Sequence, residues 1–186
     1  MKRISLKKMS PAKRVSVIGL GIALYVTFSL VVQVPFFENY YLCLGYVALA
    51  TYCYLFGSVA GALVGTVGCV LHALVINGLR GMPGWALGNL FIGVCLGMLF
   101  KMTLHNGRSI PWVVLNVIGL ILITAVGILG VKSLVEVILY GQPMWARILK
   151  NMNAFIADCV VLVLSIPLLF MSERIAKSVF KESAAG

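Results

Sequence analysis

The chain is predicted to be an all-α, polytopic membrane protein with six transmembrane helices and both termini cytoplasmic, and three observations carry that reading. Of its 186 residues, 61% are hydrophobic and 11% charged, with a mean hydropathy of +1.05. That leaves too little polar surface to cover a soluble globule of this size. Apolar runs approaching the roughly 20 residues needed to cross the hydrocarbon core recur along the chain with short connections between them. Finally, Lys2, Arg3, Lys7, Lys8, Lys13 and Arg14 precede the first run, and Arg174, Lys177 and Lys181 follow the last. This bias is what the positive-inside rule expects of a chain with both ends inside.

The same distribution accounts for the net charge of +10, so no nucleic-acid partner is expected. Cys43, Cys53, Cys69, Cys95 and Cys159 lie in or beside apolar segments, with no CxxC pair and no His at ligand spacing. They read as small packing residues rather than a disulfide framework or zinc site, and neither metal nor cofactor is expected.

In order, residues 1–14 form a basic lead suited to anionic headgroups. The first span covers about residues 15–34, too long for a signal-peptide core and without a convincing cleavage site. Along it Gly19, Ala23 and Thr27 recur every fourth residue and make one face of small side chains. Pro35 ends that helix, and an aromatic loop follows with Glu38, Asn39, Tyr40 and Tyr41, read first as an interfacial belt and second as a lid.

The second span, residues 44–56, is short. Gly57 and Ser58 leave room for only a tight cytoplasmic turn before the third, residues 59–77. Gly57, Gly61 and Gly65, then Gly93 and Gly97, repeat at the spacing that lets helices approach backbone to backbone in lipid. An outer loop with Arg80 leads to the fourth span, residues 85–104, and residues 101–109 return inside. The fifth span is placed at residues 110–131, with a helix that could continue to Tyr140. An outer segment with Lys132, Glu136, Trp145, Arg147 and Lys150 precedes the sixth, residues 152–171. The whole is read as a single membrane domain, 1–186.

Candidate chemistry gathers at the outer ends of the spans. Asp158 is the carboxylate well inside a span, where an ionisable group is expensive unless paired, hydrated or protonated; it is either a ligand contact or a hydrogen-bond partner of Asn89 or His72. His72 lacks a second ligand at helical spacing, and Asn89, Asn151 and Asn153 could equally be polar glue between helices. Cations (Arg80, Lys132, Arg147, Lys150), carboxylates (Glu38, Glu136) and rings (Tyr40, Tyr41, Trp85, Trp145) sit around apolar walls, the usual make-up of a pocket for a small molecule that is uncharged or anionic. No HExxH, GxSxG, P-loop or paired membrane aspartates occur, so the chain is not expected to be an enzyme, and energy for transport would come from a partner.

At this point the run LGYVALATYCYLFGSVAGALVGTVGCVLHALV followed by GWALGNLFIGVCLG, with the Phe56-Gly57 turn and Gly61, Gly65 and Gly68 after it, resembles the substrate-binding S component of an energy-coupling factor (ECF) vitamin transporter. The resemblance covers nearly the whole chain. It implies a multi-pass subunit of the bacterial cytoplasmic membrane that captures a vitamin or related micronutrient at the outer face. Such a subunit joins a transmembrane T subunit and two ATP-binding-cassette ATPases, and topples in the bilayer to release its cargo. By the same resemblance, Gly19, Ala23 and Thr27 stand at the family's docking face on the first span, with Thr27 departing from its AxxxA-like pattern. Glu38, Asn39, Tyr40, Trp85, Asn89, Lys150, Asn151 and Asn153 stand where family ligands are held. A self-sufficient secondary transporter is the alternative, for which only Asp158 speaks, and a membrane enzyme or assembly protein is a third reading.

Overall fold

A computed structural model describes residue 6 and residues 9–31, 33–37, 40–76, 78–104 and 109–182. The described chain is a bundle of antiparallel helices: α1 (Pro11–Val31), α2 (Gly45–Phe56), α3 (Ser58–Val75), α4 (Met82–Met102), α5 (Ile110–Ala125), a π-helical segment (Val126–Lys132), α6 (Ser133–Tyr140) and α7 (Met144–Glu182). Five stretches are long and apolar enough to cross a membrane: α1, α3, α4, the continuous helix Ile110–Tyr140 and Met144–Ala176 within α7. The short apolar helix α2 is the sixth member of the bundle.

Small residues inside and large ones outside organise the packing. On α3, Ala60, Gly61, Val64, Gly65, Gly68 and Cys69 are buried, whereas Val59, Leu63, Val67, Leu71 and Leu74 are exposed toward what would be lipid. Gly61 and Gly65 lie against Cys53 and Leu49 of α2. Across the other side, a Cβ on Gly93 of α4 would stand 2.6 Å from the Cα of Ala62, and one on Gly97 would strike the Ser58 backbone. The fourfold glycine spacing is therefore the contact surface of α2, α3 and α4, where close backbone approach replaces a hydrophobic drive that lipid does not supply. Tyr52 of α2 donates to the Val17 carbonyl of α1 at 2.9 Å, and Cys53 Sγ donates to the Gly93 carbonyl at 3.2 Å.

The α2–α3 connection is the single residue Gly57, whose φ of 97° belongs to the region that favours glycine. That turn agrees with the sequence. Elsewhere the structure departs from it. The segment after α1, expected as a loop, contains an antiparallel two-stranded hairpin, β1 (Gln33–Phe37) and β2 (Tyr40–Cys43), with Pro35 opposite Tyr41; β-favouring aromatic and branched residues dominate both strands. The basic residues Lys13 and Arg14 are already helical, so α1 starts four residues before the expected span. The supposed outer segment 132–151 is helical except for a turn at residues 141–143. The fifth helix continues through its π-helical segment to Tyr140, and α7 begins at Met144 rather than near residue 152. Gly141, at φ 64°, provides the left-handed cap that ends α6.

Candidate functional site

The hairpin, the end of α3, the start of α4, α6 and the start of α7 meet at one end of the bundle, opposite Lys13 and Arg14 of α1 and Arg174 of α7. Charge distribution assigns this end to the outside. Two cavities open there. The larger, about 670 Å³, lies between the start of α4, α6 and the start of α7, with Arg80, Trp85, Lys132, Glu136, Arg147 and Asn151 on its wall. The smaller, about 300 Å³, runs inward among Tyr25, Tyr46, Cys69, His72 and Asp158. Gly81 and Trp85 belong to both walls, so the indole is the partition between them.

A buried polar network floors the larger cavity. Glu136 Oε1 accepts an ion pair from Lys132 Nζ at 2.8 Å, and its Oε2 faces Arg147 Nη1 at 3.6 Å. Asn151 ties the two helices together: its Nδ2 donates to Ser133 Oγ at 2.9 Å and to Glu136 Oε2 at 3.0 Å, and its Oδ1 accepts from Lys132. Lys132 Nζ also sits 4.4 Å from the centre of the Trp85 ring, and the Arg147 guanidinium 5.0 Å from that of Tyr140, both within the reach of cation–π attraction. Lys132, Glu136, Arg147 and Asn151 are all buried.

The backbone explains how such charges come to sit in an apolar helix. Gly127 packs against Ile92 of α4, and the Gly127 carbonyl would lie 3.0 Å from a Cβ placed on Gly88. The glycine pair thus brings the π-helical segment against α4. That segment delivers Lys132 at its end, and Glu136 follows one turn on, on the same face. Single π-helical turns of this kind are frequent at functional sites.

Beneath the smaller cavity, Asn89 is 1% exposed and fully engaged. Its Oδ1 accepts from Tyr46 Oη at 2.7 Å, while its Nδ2 donates to Tyr25 Oη at 3.1 Å and to the Gly65 carbonyl at 3.4 Å. It therefore orients the two tyrosines that face the cavity and does not itself line either wall. Cys43, on β2, lies 3.3 Å from Ser29 Oγ. Burial pushes its thiol up to about 11, so it is a neutral thiol at pH 7 and a poor nucleophile or metal ligand. Among the described residues no group of three or more His, Cys, Asp or Glu could hold a metal ion.

Of the residues singled out from the sequence, Trp85, Lys150 and Asn151 line the larger cavity together. Asn89 supports the smaller one, and Asn153 is half-buried on α7 and lines neither. Tyr40 is in β2, with its side chain outside what is described, and Glu38 and Asn39 lie outside the described residues. Asp158 lines the smaller cavity, but the hydrogen bond to Asn89 or His72 weighed for it is not formed: Asn89 spends its bonds elsewhere, and His72 Nε2 and Asp158 Oδ2 have no partner among the described residues. Tyr25 and Tyr46 were missed, because a tyrosine inside an apolar run carries no signal beyond hydrophobicity. Gly19, Ala23 and Thr27 all lie on the exposed face of α1, and a Cβ on Gly19 would meet nothing within 4 Å.

Comparison with known proteins adds a family. The family described as the ECF-type riboflavin transporter, S component, matches residues 9–176. Among curated proteins, the chain is 37% identical over 97 residues to the UPF0397 proteins of Lactococcus lactis subsp. cremoris strains NZ9000 and MG1363, covering 50% of this chain and 52% of each relative. It is 36% identical over the same length to a UPF0397 protein of Lactococcus lactis subsp. lactis strain IL1403. The chain thus spans about half the length of the curated relatives it matches. No solved structure matches.

Proposed function

Since the chain belongs to the family of ECF-type riboflavin transporter S components, a family of cytoplasmic-membrane proteins, we propose that it acts as one membrane-embedded binding unit. It captures a vitamin-like small molecule at the outer face and delivers it through a T subunit and two ABC ATPases, without catalysis of its own. The observation that carries this reading is the pair of adjacent cavities that share Gly81 and Trp85 as wall residues. Their volumes are in the range of small-molecule sites, about 300–1,000 Å³, and their walls combine rings with a few convergent charges.

In this reading Trp85, Lys150 and Asn151 contact the captured molecule, Asn89 holds Tyr25 and Tyr46 in place, and Glu38, Asn39 and Tyr40 supply further contacts from the segment after α1. Asn153 is assigned to helix packing rather than contact. Gly19, Ala23 and Thr27 form the face that meets the T subunit: they are exposed, small and unpacked by the rest of the chain, which permits close helix approach.

Native mass spectrometry of the detergent-purified chain tests the capture. A stoichiometric small molecule is expected. A chain that is empty and also fails to co-purify with a T subunit and ATPases would overturn the proposal. The second reading, a self-sufficient secondary transporter, rests on the buried Asp158 carboxylate within α7.

A further inference from the structure

Five buried side-chain polar atoms among the described residues have no hydrogen-bond partner, and three of them belong to residues that line the two cavities: Arg147 Nε, Asp158 Oδ2 and His72 Nε2. Arg147 and Asp158 are 8% and 3% exposed. Buried polar groups are rarely left without a partner, because each costs its desolvation. Where residues that carry such atoms line a cavity, a bound molecule is the simplest source of the missing partners.

The two ends of the paired cavity want opposite things. Among the described residues of the larger cavity, four cationic side chains, Arg80, Lys132, Arg147 and Lys150, face a single carboxylate, Glu136. Glu136 is already shared between Lys132 and Arg147, so among the described residues the wall has positive charge in excess and Arg147 Nε–H has no acceptor. Arginine favours carboxylate and phosphate through its planar array of donors. At the smaller cavity the unpartnered atoms are His72 Nε2 and the Asp158 carboxyl oxygen Oδ2, and the latter, on a wall shared with Tyr25 and Tyr46, can accept a hydrogen bond. Trp85 stands between the two ends and offers a ring face at the crossing.

Resting on the capture reading above, we propose that the two cavities are one two-ended site for a ring-bearing anion. Its carboxylate or phosphate lies at Arg147, its ring passes Trp85, and an N–H or O–H donor reaches Asp158. Such a molecule gives Arg147 Nε an acceptor and Asp158 Oδ2 a donor, and it also offsets the positive charge of the wall, which a neutral ring or a simple cation does not.

The test is to identify, by high-resolution mass spectrometry, the compound released on denaturing the chain purified from cells grown on complex medium. It is run for the wild type and for Arg147→Gln, Arg80→Gln and Asp158→Asn. Arg80 is exposed at the rim, so Arg80→Gln reports on charge without disturbing the buried network if Arg147→Gln does not fold. The expected compound carries a carboxylate or phosphate and a ring bearing N–H or O–H. Its occupancy falls at least tenfold in Arg147→Gln and Asp158→Asn and severalfold in Arg80→Gln. A neutral or cationic compound, or an anion whose occupancy is unchanged in Arg80→Gln and in whichever buried variants fold, overturns this ligand class while leaving capture intact. A wild-type chain without any bound compound overturns this inference, and one that also fails to co-purify with a T subunit and ATPases overturns capture with it.

Discussion

Lys132 Nζ sits 4.4 Å from the centre of the Trp85 ring, so the partition between the two cavities is held by a cation that is itself clamped by Glu136 at 2.8 Å. Trp85 is thereby fixed at the crossing rather than free to turn, and its replacement removes both a ring face and a contact of the buried network. Trp85→Ala is expected to weaken binding of the co-purified compound by about 1–3 kcal/mol, read as its dissociation constant by equilibrium dialysis. Unchanged affinity would move the indole to a purely structural role.

Glu136 is the counter-charge of the network, paired to both Lys132 and Arg147. Glu136→Gln leaves two buried cations without it and is expected to destabilise the chain by about 3–5 kcal/mol. Thermal unfolding in detergent checks this, and a melting temperature equal to wild type would show that the pair is hydrated and weak.

Asn89 gives a contrasting case. Asn89→Ala strands the Tyr25 and Tyr46 hydroxyls, which are buried and bonded to it, at a cost of about 1–3 kcal/mol in stability. Binding should weaken through displacement of the two rings, and the double change Tyr25→Phe/Tyr46→Phe should recover much of the lost stability because no hydroxyl is then stranded.

The glycine contacts separate sharply by position. Gly93→Val would drive a side chain into the Ala62 backbone, where even a Cβ would stand at 2.6 Å. A loss of folded monomer in size-exclusion chromatography is expected, since overpacking of a tight interface costs about 1–3 kcal/mol or more. Gly19→Ala meets nothing within 4 Å and should leave the elution profile unchanged.

Ala23→Trp tests the exposed face of α1. The bulky ring points away from both cavities, so binding should remain, while close approach of a T subunit is blocked and uptake in cells is abolished. Normal uptake by that variant would count against the docking face.

The helices were legible because apolar length and glycine spacing both act locally: Gly61, Gly65, Gly93 and Gly97 occur at the spacing that the α2, α3 and α4 contacts use, and Gly57 marks the turn between α2 and α3. The hairpin was not, because strand pairing depends on a register that no local period fixes. Within the site, Trp85 and Asn151 stood out as polar or amphipathic groups at span ends. The union of Asn151 with Lys132, Ser133 and Glu136 crosses the 141–143 turn, and such a long-range contact has no sequence signature. The support that Asn89 gives Tyr25 and Tyr46 joins three helices and is invisible for the same reason.

The central claim is capture by this chain with transport driven by partners. It is tested most directly by reconstituting the purified chain into proteoliposomes with and without a T subunit and ATPases, and following the radiolabelled compound that co-purifies with it. Binding by the chain alone is expected, with ATP-dependent accumulation only when the partners are present. Accumulation by the chain alone under an ion gradient would contradict it and establish a secondary transporter instead.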